Sequence, residues 1–393
     1  MNPELARFHA FVPYPDAPVP HAAGGPLAGL TFGVKDIFDV AGYPTGCGNP
    51  HKLAMSGIKT SNAPVVDALL AAGATFAGKT YTEELAFSMN GRNAHFGAPL
   101  NGAAPDRVAG GSSSGSASAV SNGLCAFALG TDTGGSVRAP ASHCGLIGLR
   151  PTHGRVSLDG CMPLSPGFDT CGWFTKDIER FAKVANVLLG DDTDTLPERP
   201  AVVLPREALA ELAPDVANAF AVTFESLLPH FGETENLDIY KPSVDALYWA
   251  FRYMQGFQAW QSHGAEIEQF DFQLGPGVRE RFMWSKAVSP TQNEESAEIA
   301  ATFRAHLLAL LDGRRVIAMP TMPNVAPLLA DSDEALDSYR NQAVRMLCVS
   351  GLSGFPQLSL PLMQIGGAPL GFSLIGPPGS DRSLIELGRR LMR

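Results

Sequence analysis

Short apolar runs alternate with helix-like stretches along the chain, and this alternation predicts an α/β fold. Helices are predicted where apolar side chains recur every three or four positions, as they do between residues 216 and 227. Apolar runs too short for a helix predict buried strands. The predicted strands cover residues 30–34, 74–78, 125–129, 315–319, 357–361 and 371–375.

The pattern divides the chain into segments without suggesting independent domains. Residues 1–28 are rich in proline and are expected to form an extended lead-in. We predict a single domain over residues 1–393, made of an N-terminal part (1–176), a helical insertion (177–313) and a C-terminal segment that closes the sheet (314–393).

Composition and charge narrow the class of protein. The 393 residues are 45% hydrophobic and 17% charged, which suits a large buried core. The net charge of −10 argues against binding to nucleic acid or to an anionic membrane surface. No apolar run approaches the roughly 18 residues of a membrane helix. The six cysteines include no C-x-x-C pair and the N-terminal sequence lacks the apolar core of a signal peptide, so we expect a cytoplasmic protein with reduced thiols.

Two clusters of glycine and hydroxyl residues stand out between these elements. They are residues 110–115, of sequence GGSSSG, and residues 130–136, of sequence GTDTGGS. The first has three readings: a flexible linker, a phosphate loop without its lysine, or an α/β-hydrolase elbow centred on Ser113 without the preceding strand. The second follows a predicted strand, and its consecutive N–H groups can form a concave nest beside the Ser136 hydroxyl. A glycine turn that caps the next helix is the alternative.

Three motifs in this order resemble the amidase signature family. They are GVKD at residues 33–36, GGSSSGS at 110–116 and GTDTGGSVR at 130–138. The resemblance covers most of residues 28–177 and resumes near residue 354. It implies a mixed central β-sheet covered by helices on both faces, and an activity that hydrolyses amide bonds without a metal ion or a cofactor.

The resemblance also assigns roles to individual residues. Ser136 is the expected nucleophile, Ser112 the bridging serine after a cis peptide bond, and Lys35 the base. A lysine is a useful base near neutral pH only when its pKa is lowered, and burial beside an apolar strand has that effect. The family's oxyanion-hole, substrate-contact and supporting positions fall at Thr133, Gly134 and Gly135; at Ala86, Phe87, Ser88 and Met89; and at Ser113, Asp132 and Arg138, the last two as an ion pair.

Within the family, the chain resembles the short plant-type indole-3-acetamide hydrolases, for example at residues 35–40 and 168–174. This implies hydrolysis of a small primary amide, of arylacetamide type, to a carboxylate and ammonia, and leaves a homodimer open. Two other amide-cleaving interpretations remain: the glutaminase subunit of a tRNA-dependent amidotransferase, and a urea- or biuret-type hydrolase. A non-catalytic assembly protein that keeps the fold belongs to a different class, and the intact Lys35, Ser112 and Ser136 argue against it.

Overall fold

The structure is a computed structural model that describes residues 7–393, and its centre is a single mixed β-sheet. The predicted α/β class is therefore confirmed. All six predicted strands are present, with ends shifted by a few residues. The described strands are β1 (Thr31–Lys35), β2 (Thr75–Thr80), β3 (Phe127–Asp132), β4 (Ile147–Arg150), β5 (Thr170–Thr175), β6 (Ala201–Pro205), β7 (Thr234–Leu237), β8 (Arg315–Pro320), β9 (Gln357–Ile365) and β10 (Ala368–Ile375).

The strands lie in the order β2-β1-β3-β5-β4-β9-β10-β8-β6-β7. Near one edge β1 lies between β2 and β3 and is parallel to both, and near the other edge β6 lies between β8 and β7 and is parallel to both. The strands between these two groups pair in antiparallel fashion. The sheet is therefore mixed, as the resemblance implied.

Helices cover the sheet in two layers. The described α-helices are α1 (Pro50–Ser56), α2 (Pro64–Ala71), α3 (Ser114–Ser121), α4 (Arg138–His143), α5 (Ile178–Leu188), α6 (Arg206–Ala210), α7 (Pro214–Leu227), α8 (Val244–Gln269), α9 (Val278–Lys286), α10 (Pro290–Leu311), α11 (Asp333–Ser353) and α12 (Asp381–Leu391). Helices α3 and α4 contact each other and the strands, whereas α5 and α12 contact each other and the sheet as a separate group. Helices α8, α9, α10 and α11 pack together beside them.

Helix α3 shows why small residues follow the first glycine cluster. All eight of its residues are buried, and it packs against β1, β2 and β3. A Cβ atom at Gly115 would meet the backbone nitrogen of Tyr81 at 2.4 Å, so only glycine allows this approach. The close packing brings the loop that precedes α3 to the ends of β1 and β3.

The prediction of a purely helical insertion between residues 177 and 313 is wrong in one respect. This region contains β6 and β7, which complete one end of the sheet through the parallel pairing of β6 with β8. Strand β6 is only five residues long, and Val202 and Val203 are both buried. Its apolar residues, 201–204, lie between Pro200 and Pro205, and a proline at each end of so short a run indicates a loop. The strand pairs with β8, more than a hundred positions away in the sequence. The division of the chain into three segments remains a prediction.

The described part of the lead-in runs along the edge of the sheet. Phe11 forms an antiparallel bridge with Thr80 of β2, and the Val12 N–H donates to the Lys79 carbonyl at 2.8 Å. Residues 1–6 of the predicted lead-in lie outside the described residues. All six cysteines are free thiols. No helix within residues 7–393 has the length and apolar character that crossing a membrane requires.

Candidate active site

Lys35 is the last residue of β1, and its side chain is completely buried. Its Nζ atom donates hydrogen bonds to Ser112 Oγ and to Thr131 Oγ1, each at 2.7 Å. The fold thus joins two of the predicted catalytic residues, which are 77 positions apart in sequence. The third member of this group, Thr131 on β3, was not singled out from the sequence.

This meeting follows from the order of the strands. Because β1 and β3 are parallel neighbours, their carboxyl ends open at the same edge of the sheet. Ser112 arrives from the loop before α3, where the Gly111–Ser112 peptide bond is cis. The Ser112 carbonyl accepts from Thr82 Oγ1 at 3.1 Å and from the Glu83 N–H at 3.0 Å. These bonds hold the Ser112 backbone while its hydroxyl accepts from Lys35.

Burial lowers the pKa of Lys35 to about 8, because an ammonium group away from water loses its solvation. Acidic groups nearby, among them Cys161 and Asp169, oppose this shift. A pKa of about 8 leaves about a tenth of the lysine neutral at pH 7, and more at higher pH. The neutral amine is the form that can accept a proton.

Ser136 lies in the turn between β3 and α4, and the carboxylate of Asp132 organises this turn. Asp132 Oδ1 accepts from the Gly135 N–H at 2.9 Å. Its Oδ2 atom accepts from the N–H groups of Val137 and Arg138, both at 3.1 Å. One buried side chain therefore fixes the backbone on both sides of Ser136.

Two buried arginines neutralise Asp132. Arg138 forms the predicted ion pair, with Nη2 2.7 Å from Oδ1 and Nε 2.9 Å from Oδ2. Arg150 adds Nη1 at 3.2 Å from Oδ1. Burial alone would raise the pKa of Asp132, but the two arginines and the hydrogen bonds hold this pKa well below its ordinary value. The carboxylate is therefore ionised throughout the neutral range.

The N–H groups of this turn differ in their availability. The Gly135 N–H is donated to Asp132, so this residue, predicted for the oxyanion hole, offers no free N–H in this structure. The N–H groups of Thr133, Gly134 and Ser136 make no hydrogen bond to another described residue. Three donors therefore remain beside the Ser136 hydroxyl.

The Ser136 hydroxyl itself has no hydrogen-bond partner among residues 7–393, so the second link of the predicted relay, from Ser136 to Ser112, is not closed here. Ser113 bonds within the site as predicted: its Oγ atom donates to the Thr131 carbonyl and accepts from the Thr131 N–H, both at 3.3 Å. This exchange fixes β3 next to the Lys35 amine.

Ser136 lines a narrow pocket with a volume of about 20 Å³. The pocket wall includes all four predicted substrate contacts, Ala86, Phe87, Ser88 and Met89. Ala86 and the preceding Leu85 have φ values of 57° and 47°, a left-handed conformation that residues with side chains seldom adopt and that clusters at functional sites. No described residue donates to the Ala86 carbonyl.

Two larger cavities adjoin the Ser136 pocket from different directions. A cavity of about 500 Å³ shares Ser88 and Arg340 with it, and we call it the arginine cavity because Arg252 and Arg281 also line it. A cavity of about 680 Å³ is also lined by Thr131, the hydroxyl partner of Lys35, and we call it the relay-side cavity. The Ser136 pocket therefore shares lining residues with both cavities, Ser88 and Arg340 with the first and Ala86, Thr133 and Leu164 with the second.

Sequence reasoning missed several residues that build this site. Thr131 lies inside a quoted motif, but only the pairing of β3 with β1 shows that it meets Lys35. Arg150 follows an apolar strand, as Lys35 does, and could have been noted for the same reason. Arg340 and Gln255 lie on α11 and α8, where no local pattern distinguishes them from solvent-facing helix residues.

With the fold and the geometry at Lys35 described, comparison with known proteins gives the family. The family model described as Amidase matches residues 15–231, and the chain belongs to this family. Amidase 1 of Oryza sativa subsp. japonica is 39% identical over 95% of this chain and 92% of its own length. Amidase 1 of Arabidopsis thaliana is 38% identical over 92% of each. A solved structure described as a crystal structure of amidase superposes with a TM-score of 0.85, at 31% identity over 94% of this chain and 85% of that one. The protein is therefore a hydrolase of amide C–N bonds.

Proposed function

We propose that this protein hydrolyses a small primary carboxamide to a carboxylate and ammonia through an acyl-enzyme on Ser136. The observation that carries the proposal is the 2.7 Å hydrogen bond between the Lys35 amine and the Ser112 hydroxyl at the bottom of the site. A serine hydroxyl attacks an amide only when a base takes its proton, and this pair supplies a base and a carrier.

The proposed first half-reaction forms the ester and releases ammonia. Ser136 Oγ attacks the amide carbonyl while its proton passes to Ser112 Oγ, and the Ser112 proton passes to the neutral Lys35 amine. The tetrahedral intermediate then breaks its C–N bond, and the proton returns from Lys35 through Ser112 to the departing nitrogen. This requires Ser136 and Ser112 to form the hydrogen bond that is open in the free protein, which is common before substrate binds.

The second half-reaction uses the same groups with water in place of the amine. Water gives a proton to Ser112, which passes its own to Lys35, and the resulting hydroxide attacks the ester carbonyl. The C–O bond to Ser136 breaks, and Ser136 Oγ regains a proton from the relay. In both halves the free N–H groups of Thr133, Gly134 and Ser136 are the donors we propose for the oxyanion.

The lining of the pocket supports an apolar acyl group next to the carbonyl. Phe87, Met89 and Phe251 border Ser136, which favours the arylacetamide class over urea or biuret, whose polar nitrogens would lie unpaired there. We assign the relay-side cavity to the departing ammonia and to the attacking water, because Thr131, which accepts a hydrogen bond from Lys35, lines it.

Ammonia release from a panel of amides tests this proposal. We expect the purified chain to hydrolyse phenylacetamide without any partner chain. We also expect a fluorophosphonate probe to label Ser136. Ser136→Ala should reduce kcat/KM by about 10⁴-fold or more and abolish labelling, with the melting temperature unchanged. Ser226→Ala, an exposed serine of α7 that donates only to the Thr223 carbonyl, is the matched control and should keep both. Labelling at another residue, or activity that survives Ser136→Ala, would reject the proposal.

The glutaminase interpretation predicts a different outcome in the same panel. A subunit of an amidotransferase would release ammonia from glutamine and depend on partner chains. Stand-alone hydrolysis of phenylacetamide with little activity on glutamine would therefore exclude it. A non-catalytic assembly protein would show neither labelling nor turnover.

A further inference from the structure

Two polar side chains in the wall of the Ser136 pocket have no partner. Arg340, on α11, and Gln255, on α8, are only 7% and 5% exposed. Neither forms a hydrogen bond or an ion pair with any residue between 7 and 393, and both line the pocket that Ser136 lines. The Gln255 amide lies near the active turn, because a Cβ atom at Gly134 would meet Gln255 Nε2 at 3.3 Å.

An uncompensated guanidinium in such a position is energetically unfavourable, because burial removes its water and no carboxylate replaces it. The acidic groups of the arginine cavity are engaged elsewhere or too far away. Asp337 attracts the Arg340 charge through space but forms no ion pair with it, and its ion pair, at 3.8 Å, is with Arg281. Glu83 lies more than 4 Å from Arg340, and burial raises the pKa of its carboxyl to about 7.

Of the residues that the structure describes, Arg340 is the only charged one in the lining of the Ser136 pocket. In the adjoining arginine cavity, arginines occur together with the carboxyl groups of Glu83, Glu84, Glu280, Asp333 and Asp337. Arg252 and Arg281 line the same cavity, and Arg252 donates to the neutral hydroxyl of Tyr248 at 2.8 Å. Arg281 uses its Nε atom to donate to the Phe87 carbonyl at 2.7 Å. A bound anion would supply the missing negative charge and accept hydrogen bonds from Arg340 and Gln255 together.

The position of the relay decides which part of the substrate reaches Arg340. The departing nitrogen must receive its proton from Ser112 and Lys35, whose partner Thr131 faces the relay-side cavity. We therefore assign the acyl group to the Ser136 pocket, whose lining includes Phe251, Gln255 and Arg340 but not Thr131.

We propose that Arg340 and Gln255 bind a carboxylate at the far end of the acyl group, so that the preferred substrates are monoamides of dicarboxylic acids with an apolar spacer. This proposal rests on the acyl-enzyme chemistry proposed above and specifies its substrate class. Glutamine also carries a carboxylate beyond its amide, but its α-ammonium would lie beside Arg340 in a pocket whose described lining has no carboxylate. Glutaramate, which lacks the ammonium, is therefore preferred over glutamine.

Matched pairs of amides test the charge requirement. The first pair is 4-(carbamoylmethyl)benzoate and phenylacetamide, which differ only in the carboxylate, and the second is glutaramate and pentanamide. We expect kcat/KM to favour the anionic member of at least one pair by about 100-fold, mainly through KM. Arg340→Met should reduce this preference to about one, and Arg340→Lys should retain part of it.

Arg345 on the same helix provides the control, because its side chain pairs with Asp245 outside the pocket. Arg345→Gln should leave the preference of the wild type unchanged. Equal rates for both members of each pair, or a preference that survives Arg340→Met, would overturn the proposal. In either case hydrolysis of phenylacetamide would leave the proposed chemistry intact.

A binding measurement keeps the anionic subsite testable without turnover. Calorimetry with the Ser136→Ala protein and 4-(carboxymethyl)benzoate, the dicarboxylate product, should give binding that Arg340→Met weakens by about 100-fold. Binding in a protein that hydrolyses no amide would support the subsite while rejecting the proposed chemistry. Absence of binding, or equal binding by the two proteins, would reject the subsite.

Discussion

Two regions of the candidate site use buried arginines in opposite ways. We call the region around Lys35 and Asp132 the floor, and the part of the Ser136 pocket lined by Arg340 and Gln255 the wall. In the floor, Arg138 and Arg150 surround Asp132, and nearly every charge there has a partner within hydrogen-bond distance. In the wall, Arg340 is almost as deeply buried and has no partner among the described residues. The same residue type therefore holds the turn in one region and is left available in the other.

This difference separates groups that maintain geometry from groups that meet the substrate. The paired arginines hold Asp132 and the turn that carries Ser136, so their ion pairs serve to position the turn. The unpaired arginine is costly in the free protein and gains its partner only when an anion binds. Lys35 belongs to a third kind, because burial lowers the pKa of its amine and so leaves part of it neutral and able to accept a proton.

The largest effect is expected from the lysine of the floor. Lys35→Met should lower kcat/KM at pH 7 by about 10²–10⁴-fold, because it removes the base. In the wild type, kcat/KM should rise about tenfold from pH 7 to 9, as the amine with a pKa of about 8 loses its proton. Steady-state rates over this range measure both.

Lys79 is the matched control for this experiment. It is equally buried and lies one strand away, but it pairs with Asp36 at 2.9 Å. Lys79→Met should keep the shape of the pH profile whatever it does to stability. An unchanged profile in the Lys35→Met protein would contradict the assignment of the base.

The next effect concerns stability. Asp132→Asn should lower the free energy of unfolding by about 3–5 kcal/mol at pH 7, since it leaves Arg138 and Arg150 without their buried counter-charge. The folded pKa of Asp132 is depressed, so its contribution is present above the unfolded value of about 3.9 and is lost as the pH falls below it. Urea unfolding of both proteins from pH 7 to 3 should show the difference shrink toward low pH. A constant difference would show that the carboxylate does not act through its charge.

The comparison also shows how far the sequence alone can lead. Lys35, Ser112 and Ser136 could be named as candidates because each lies in a motif of local sequence, and the structure joins the first two. Six strands were predictable from runs of apolar residues. Thr131 required the order of the strands, which places β3 beside β1 and is not written in either segment. Strand β6 was missed because Pro200 and Pro205 flank its apolar residues, so the segment resembles a loop until its pairing with β8 is known.

The wall could not be predicted for a different physical reason. Arg340 and Arg345 lie on the same helix, and each has both polar and apolar residues near it in the sequence. One faces the Ser136 pocket and the other pairs with Asp245 near the surface. Which of the two is buried depends on how α8 and α11 pack against each other, and that is a property of the tertiary structure.

The smallest effect is expected from the wall, and it is the most direct test of the difference between the two regions. Arg340→Met should leave the free energy of unfolding unchanged or raise it by about 1 kcal/mol, because an unpaired buried charge is replaced by an apolar chain of similar length. Arg138→Met is the matched variant in the floor and should lower it by about 3–5 kcal/mol, since Asp132 loses its bidentate partner. Urea unfolding of the two variants beside the wild type measures both values. If both variants lowered the free energy of unfolding by the same amount, Arg340 would stabilise the fold as Arg138 does. The distinction between floor and wall would then fail.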